Sequence, residues 1–260
     1  MLDILYRDEH LVAIHKPSGL LVHRSALDAH EERFAVQMLR DQIGRHVHPV
    51  HRLDKGTSGV LLFALDRDSA ARLASQFESR QVGKRYLAIV RGHPPEGGLI
   101  DHALSRRFDP VEHVPAGRDD TPQPALTRYR RLGVVELPHQ VDRYPSSRYA
   151  LVELEPETGR RHQLRRHLKH IAHPIIGDST FGKGKHNRLF QTLFGSDRLL
   201  LACLRLELCH PHTGRPLVLE TAPSADFAAV ANALGWHSAL ARLPGTADTG
   251  HNAVSDLLPR

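Results

Sequence analysis

The chain has 260 residues, with 35 Lys and Arg against 29 Asp and Glu and a formal charge of +6 at pH 7, enough length for a sizeable core and a charge balance suited to a polyanionic partner. No signal peptide and no apolar run long enough to span a bilayer is present, which excludes a helical membrane protein. The two cysteines, Cys203 and Cys209, would lie about 20 Å apart on an extended strand, too far for a disulfide within it, so a disulfide-built secreted domain is excluded and a reducing cytoplasm is expected.

In chain order, residues 3–6 and 11–15 read as two short strands joined around Arg7-Asp8-Glu9. Pro17 and Gly19 interrupt that pattern, and residues 20–23 resume an extended path. Lys16, beside the turn, either contacts phosphate or is solvated. Residues 31–43 carry Ala35, Val36, Leu39 and Ile43 at helical spacing, with Gly44 as the stop.

The stretch HRLDKGTSGVLLFAL, residues 51–65, organises the rest. Asp54 stands among His51, Arg52 and Lys55, and Gly56-Thr57-Ser58-Gly59 follows with the glycines that tight backbone needs. The apolar run Val60-Leu61-Leu62-Phe63-Ala64-Leu65 has the length of a strand buried on both faces. Asp54 therefore sits at the mouth of a core strand, where a rigid element can hold a reactive group. Local chemistry also allows an Asp that caps the turn and pairs with Arg52 or Lys55, and structural ion pairs outnumber catalytic ones.

Asp66 or Asp68 can cap a helix that turns Leu73, Ala74 and Phe77 inward. Tyr86-Leu87-Ala88-Ile89-Val90 reads as a strand, and its Tyr86 fits the edge of a core. Residues 105–125 are charged and contain Pro110, Pro115, Pro122 and Pro124, an irregular surface insertion that either offers Arg106, Arg107 and Arg118 to a polyanionic partner or is a mobile, solvated loop. Residues 126–132 and 149–154 follow as strands.

Thr158-Gly159 opens a predicted helix over residues 160–171, with Leu164, Leu168 and Ile171 facing inward. On that helix Arg161 and Arg165 would share a face at i, i+4, where like charges repel unless an anion, phosphate or carboxylate, joins them. Residues 199–209 and 217–221 form a second hairpin, residues 226–240 a helix, and the tail from Pro244 lies outside the folded part. His167, His170 and His173 recur every three residues, but no HExxH and no zinc-spaced Cys pair accompanies them, and Pro174 stops the helix. No glycine-rich nucleotide loop and no Walker lysine is present. Neither a metal nor a cofactor is expected.

HRLD followed by TSG resembles the catalytic motif of the RluA family of pseudouridine synthases, HRLDxxTSG, whose Asp is essential. Lys16-Pro17-Ser18-Gly19 resembles the family's KPxG motif and Lys84-Arg85-Tyr86 its KxY motif. The stretch TGRRHQLRRHLKHIAHPIIGD from Thr158 resembles its third motif, with Arg165 as the basic partner. LVHRS, RYPSSRYALVELEP and RRHLKHIAHPIIGDS are most similar to the branch that modifies tRNA at the base of the T stem, whereas close relatives modify ribosomal RNA.

The resemblance implies an α+β fold over residues 1–243, a mixed, mostly antiparallel sheet flanked by helices, with no leader module before it. It implies a monomer that acts on RNA and isomerises uridine without a cofactor, after flipping the base into a pocket. Asp54 would act at the ribose as nucleophile or base, and Arg165 would favour its charged form. Tyr86 would stack on the uracil and assist proton removal, with Leu164 as an apolar wall. Arg52, Lys16 and Arg161 would bind the substrate RNA. A catalytically silent RNA-binding protein is the competing description, and the intact Asp54, Tyr86 and Arg165 count against it.

Overall fold

The computed structural model describes residues 1–23, 32–105 and 121–243. Arg106, Arg107 and Arg118 of the insertion, the start of the first helix at Glu31, and the tail from Pro244 lie outside the described residues.

Strands β1 (Asp3–Arg7) and β2 (Leu11–Lys16) form the expected hairpin. Asp8 closes its turn by accepting the N–H groups of His10 and Leu11, each at 2.7 Å. Helix α1 (Ala35–Ile43) buries Ala35 and Leu39 and ends at Gly44, whose φ of 66° is the left-handed stop that glycine supplies. The short β3 (His48–Pro49) leads into the 51–57 loop and then β4 (Ser58–Ala64), buried along its whole length. Helix α2 (Arg67–Glu78) starts at Asp66, which caps it through Ser69, and buries Leu73.

Beyond α2 come β5 (Gly83–Arg91), β6 (Gly97–Asp101), β7 (Leu126–Leu137), β8 (Ser147–Pro156), α3 (Gln163–His170) and α4 (Gly184–Phe194). The chain continues with β9 (Leu201–Cys209), β10 (Pro216–Glu220), α5 (Ala225–Ala233) and α6 (His237–Leu240). One ten-stranded sheet runs β1-β2-β4-β9-β5-β8-β7-β6, with β10 on β9 and β3 on β4. Among the described strands only β4 and β9 pair parallel. The α+β expectation, a mixed and mostly antiparallel sheet flanked by helices, therefore holds.

The parallel pair depends on Gly59. It lies opposite Cys203 with φ of 109°, and a Cβ there would stand 1.9 Å from the Cys203 carbonyl oxygen, so both conformation and space demand glycine. One core cluster packs β2 and β4 with α1 and α2, and a second joins the face of β5 and β8 to Phe190 of α4 and Phe227 of α5. A third holds Leu164 and Leu168 of α3 against Ala88, Val90 and Val152. No helix of the described residues is long and apolar enough to cross a membrane.

Three expectations need correction. The helix anticipated over residues 160–171 begins only at Gln163, because His162 takes a left-handed φ of 54° that an α-helix does not contain. Arg161 thus precedes the helix and shares no helical face with Arg165. The helix over residues 226–240 is broken in two at Gly235, φ 82°. Strands β3 and β6 and helix α4 appear where no element was expected, and β7 runs five residues past residue 132 to Leu137.

Candidate active site

Along residues 51–54 the side chains alternate. Leu53 turns into the core and the partly buried His51 ring stacks on Phe77, while Arg52 is exposed and Asp54 is partly buried. His51 accepts the Leu62 N–H of β4 through Nε2 at 2.9 Å. Burial pushes its pKa down to about 3, with Lys84 adding to the effect, so the ring is a neutral acceptor that ties the loop to the strand.

The KPSG segment closes the same loop from the other side. Gly19 N–H donates to the Lys55 carbonyl at 2.8 Å, and the Ser18 hydroxyl donates to the Gly56 carbonyl at 2.7 Å. Lys16 is fully buried and its Nζ donates to the carbonyls of Leu20, Pro17 and Lys55 at 2.7, 2.9 and 3.1 Å. All three ammonium donors are used on backbone. The substrate-binding expectation for Lys16 is therefore corrected: it staples two loops and presents nothing to a phosphate. Burial lowers its pKa to about 7, against the pull of Asp54.

Arg165 joins α3 to this loop. Its Nη1 donates to Asp54 Oδ2 at 3.1 Å, and its Nε and Nη2 grip the two oxygens of Asp178 at 2.7 and 2.9 Å. Asp178 is buried and also accepts the N–H groups of Thr180 and Phe181. Burial works to raise the Asp178 carboxyl, but the bonds from Arg165 and from backbone outweigh it and hold the pKa below the usual range. Burial likewise opposes the charge on Arg165, and the two carboxylates overcome it. The anion anticipated beside Arg165 is thus a pair of carboxylates, Asp54 and Asp178.

The turn before α3 is set by Gln163. Its Oε1 accepts the Thr158 hydroxyl and the Arg160 N–H, and its Nε2 donates to the Leu126 carbonyl and the Thr127 hydroxyl. That anchor places His162 with Nε2 3.8 Å from Asp54 Oδ1. Burial holds the His162 imidazole below its ordinary pKa, and Arg165, Arg161 and Arg52 act the same way against Asp54. The two oxygens of Asp54 are therefore unequal, with Oδ2 on Arg165 and Oδ1 facing His162.

Two cavities meet at Asp54. One of about 650 Å³ is lined by Asp54, Tyr86, Leu164, Arg165, Thr57 and Phe77, a volume within the range of small-ligand sites. The other, of about 1040 Å³, runs past Ser18, His23, Lys55, Thr180 and Asp197. Arg52, Arg161, His162 and Arg165 line both. Tyr86 stands at a bulge in the β5–β9 pairing, opposite Cys203, and bulges re-aim side chains. Its phenol is pushed well above the usual pKa, first by burial and then by the neighbouring Cys203 thiol.

A family model described as RNA pseudouridylate synthase matches residues 10–170, the span that holds Asp54, Tyr86, Leu164 and Arg165. The chain belongs to that family. It is 50% identical over 236 residues to the tRNA pseudouridine synthase C of Yersinia pestis, covering 91% of this chain and 92% of that one. It is 48% identical over 256 residues to the protein of that name from Pectobacterium carotovorum subsp. carotovorum, covering 97% and 68%. Among solved structures, human RNA pseudouridylate synthase domain containing 4 is similar with a TM-score of 0.66 and 30% identity over 90% of this chain and 93% of that one.

As an RNA pseudouridylate synthase the chain is an isomerase acting on RNA. Sequence reasoning missed two residues that touch the Asp54 centre. Asp178 lies in the motif stretch that brought Arg165 forward, but thirteen residues separate the two, and no local periodicity relates a loop Asp to a helical Arg. His162 lies in the same stretch, but its place beside Asp54 depends on a left-handed turn that no local periodicity reveals. The three histidines considered as a metal motif have separate partners: His167 on Thr127 and the His102 carbonyl, His173 on the Arg91 carbonyl, and His170 stacked on His102.

Proposed function

We propose that this synthase converts a uridine of tRNA, at the base of the T stem, into pseudouridine, with Asp54 as the reacting group. The observation that carries the reading is the Asp54 carboxylate, aimed by Arg165 at 3.1 Å and standing where the two cavities join. A flipped uridine fills the smaller cavity, with Leu164 as its apolar wall and the Tyr86 ring stacked on the base. Arg52 and Arg161, which line both cavities, meet the phosphates beside it. The tRNA substrate is supported by the names of the relatives.

Asp54 acts at the ribose, either attacking carbon 1′ or taking the proton from carbon 2′. In both routes the bond from carbon 1′ to the uracil nitrogen breaks and its electron pair leaves with the base. The base turns and carbon 5 bonds to carbon 1′, as the Asp54–carbon 1′ bond breaks in the first route or as Asp54 returns its proton to carbon 2′ in the second. The proton on carbon 5 then departs to solvent while the freed nitrogen takes one up, which restores the ring. Arg165 holds the carboxylate in place for the first step through its hydrogen bond to Oδ2. No redox change occurs.

The test supplies tRNA and ribosomal RNA tritiated at uridine carbon 5. Release of tritium from tRNA, mapped to the T stem, is expected. Release only from ribosomal RNA would overturn the tRNA assignment. Asp54→Asn should fold and bind RNA without releasing tritium, and turnover by that variant would overturn the role of Asp54.

A further inference from the structure

We propose that His10, Asp66 and His212 form a binding site for one divalent transition-metal ion of the zinc class. The three residues come from separate parts of the sequence, and the sheet brings them together. Strand β2 runs antiparallel to β4, and β4 runs parallel to β9. The start of β2, the end of β4 and the end of β9 therefore lie at one end of the sheet. His10 precedes β2, Asp66 follows β4, and His212 lies in the turn after β9. One ligand atom from each falls within 4.8 Å of the others. Asp54 precedes β4, so the cluster stands about 20 Å away, beyond the opposite end of that strand.

The cluster is held in shape from behind. His10 Nδ1 is 3.3 Å from Asp66 Oδ2. Ser69 donates its N–H to Asp66 Oδ1, and its hydroxyl lies between Asp66 Oδ2 at 2.7 Å and His212 Nε2 at 2.8 Å. Behind His212, the His210 ring is fixed by Asp8 at 2.9 Å, and its Nδ1 accepts the N–H groups of His212 and Thr213. Asp8 also fixes the backbone of His10. Outer partners of this kind are what orient metal ligands.

Two imidazole nitrogens and one carboxylate oxygen suit zinc, cobalt or nickel, whereas magnesium and calcium favour an all-oxygen shell. The side chains of His10 and Asp66 are each one-third exposed and His212 is exposed, so an ion can enter and keep water in its remaining positions. The His10 and His212 rings now stack at 3.7 Å and 22°; on binding they would fan apart to aim at one centre. Its role would be to clamp the turns after β1 and β9 to the start of α2.

The chelator-treated protein is titrated with Co²⁺, read by its visible absorption, and melted with and without Zn²⁺. The wild-type chain should bind one equivalent, and Zn²⁺ should raise its melting temperature. His212→Ala and His10→Ala should each bind more than about tenfold more weakly and lose the thermal shift, while tritium release from RNA matches wild type. Asp66 is left intact because it caps α2. Absence of a saturable equivalent, unchanged affinity in both variants, or equal displacement by Mg²⁺ would each overturn the site.

Discussion

Asp178 takes two N–H groups of Arg165, at 2.7 and 2.9 Å, and leaves Nη1 to meet Asp54 at 3.1 Å. The guanidinium fork is rigid, so gripping one edge fixes where the remaining donor points. Asp178 is therefore a positioning residue for Asp54. Asp178→Asn keeps the shape but weakens the grip, and turnover should fall by at least about tenfold, about 1.4 kcal/mol of barrier, with KM for RNA little changed. Asp178→Ala leaves a buried cation without its main partner and should cost about 3–5 kcal/mol of stability. Single-turnover rates and urea melts on both variants check this, and an unchanged rate for Asp178→Asn would remove the positioning role.

Lys16 and Arg52 were both expected on the RNA, and the structure separates them. Each phosphate contact to a single strand contributes about 0.7 to the slope of log affinity against log salt. Arg52→Ala should lower that slope by about one such contact. Lys16→Met should leave the slope unchanged and lower the melting temperature, because three backbone carbonyls lose their donor. A reduced slope for Lys16→Met would return it to the RNA surface.

Tyr86 tests stacking against proton transfer. Tyr86 lines the smaller cavity with Asp54 at the bulge of the β5–β9 pairing, and the proposal above stacks its ring on the base. Tyr86→Ala should weaken RNA binding by about 1–3 kcal/mol, the worth of one stacked base. Tyr86→Phe should keep that binding and leave the pH profile of tritium release without a new limb. Loss of binding in Tyr86→Phe as large as in Tyr86→Ala would count against the stack.

His51 gives a pH prediction with a definite sign. Its folded pKa is about 3, below the ordinary 6.5. Between these values the unfolded chain takes a proton that the folded chain refuses, so this contribution is complete above about pH 6.5 and is lost as pH falls toward 3. Urea midpoints across that window should fall less steeply for His51→Gln than for wild type. Parallel curves would show that His51 is not held neutral by the fold.

Much of this protein was legible in its local patterns. The apolar run from Val60 to Leu65 announced a doubly buried strand, and β4 is that strand. Ala35 and Leu39 in α1, and Leu164 and Leu168 in α3, followed from helical spacing, since period and burial are properties of neighbours in sequence. The placement of Asp54 at the mouth of β4 followed for the same reason.

Other features were decided only by the tertiary structure, because they join residues far apart along the chain. Lys16 turns inward because the Asp54 loop and the KPSG segment share their carbonyls around it, which its exposed-looking sequence context does not reveal. The Arg161–Arg165 pairing disappears because a left-handed His162 starts α3 late, a choice made by Gln163 reaching back to β7. Asp178 meets Arg165 across a loop whose path is set by packing rather than by any period. His10, Asp66 and His212 become neighbours through the parallel crossing of β4 and β9, and that crossing needs Gly59 to pass against the Cys203 carbonyl. Local pattern determined the strand from Val60, the buried faces of α1 and α3 and the segment that bears Asp54; long-range pairing decided which side chains surround it, because charge and hydrogen-bond partners are chosen by distance in space.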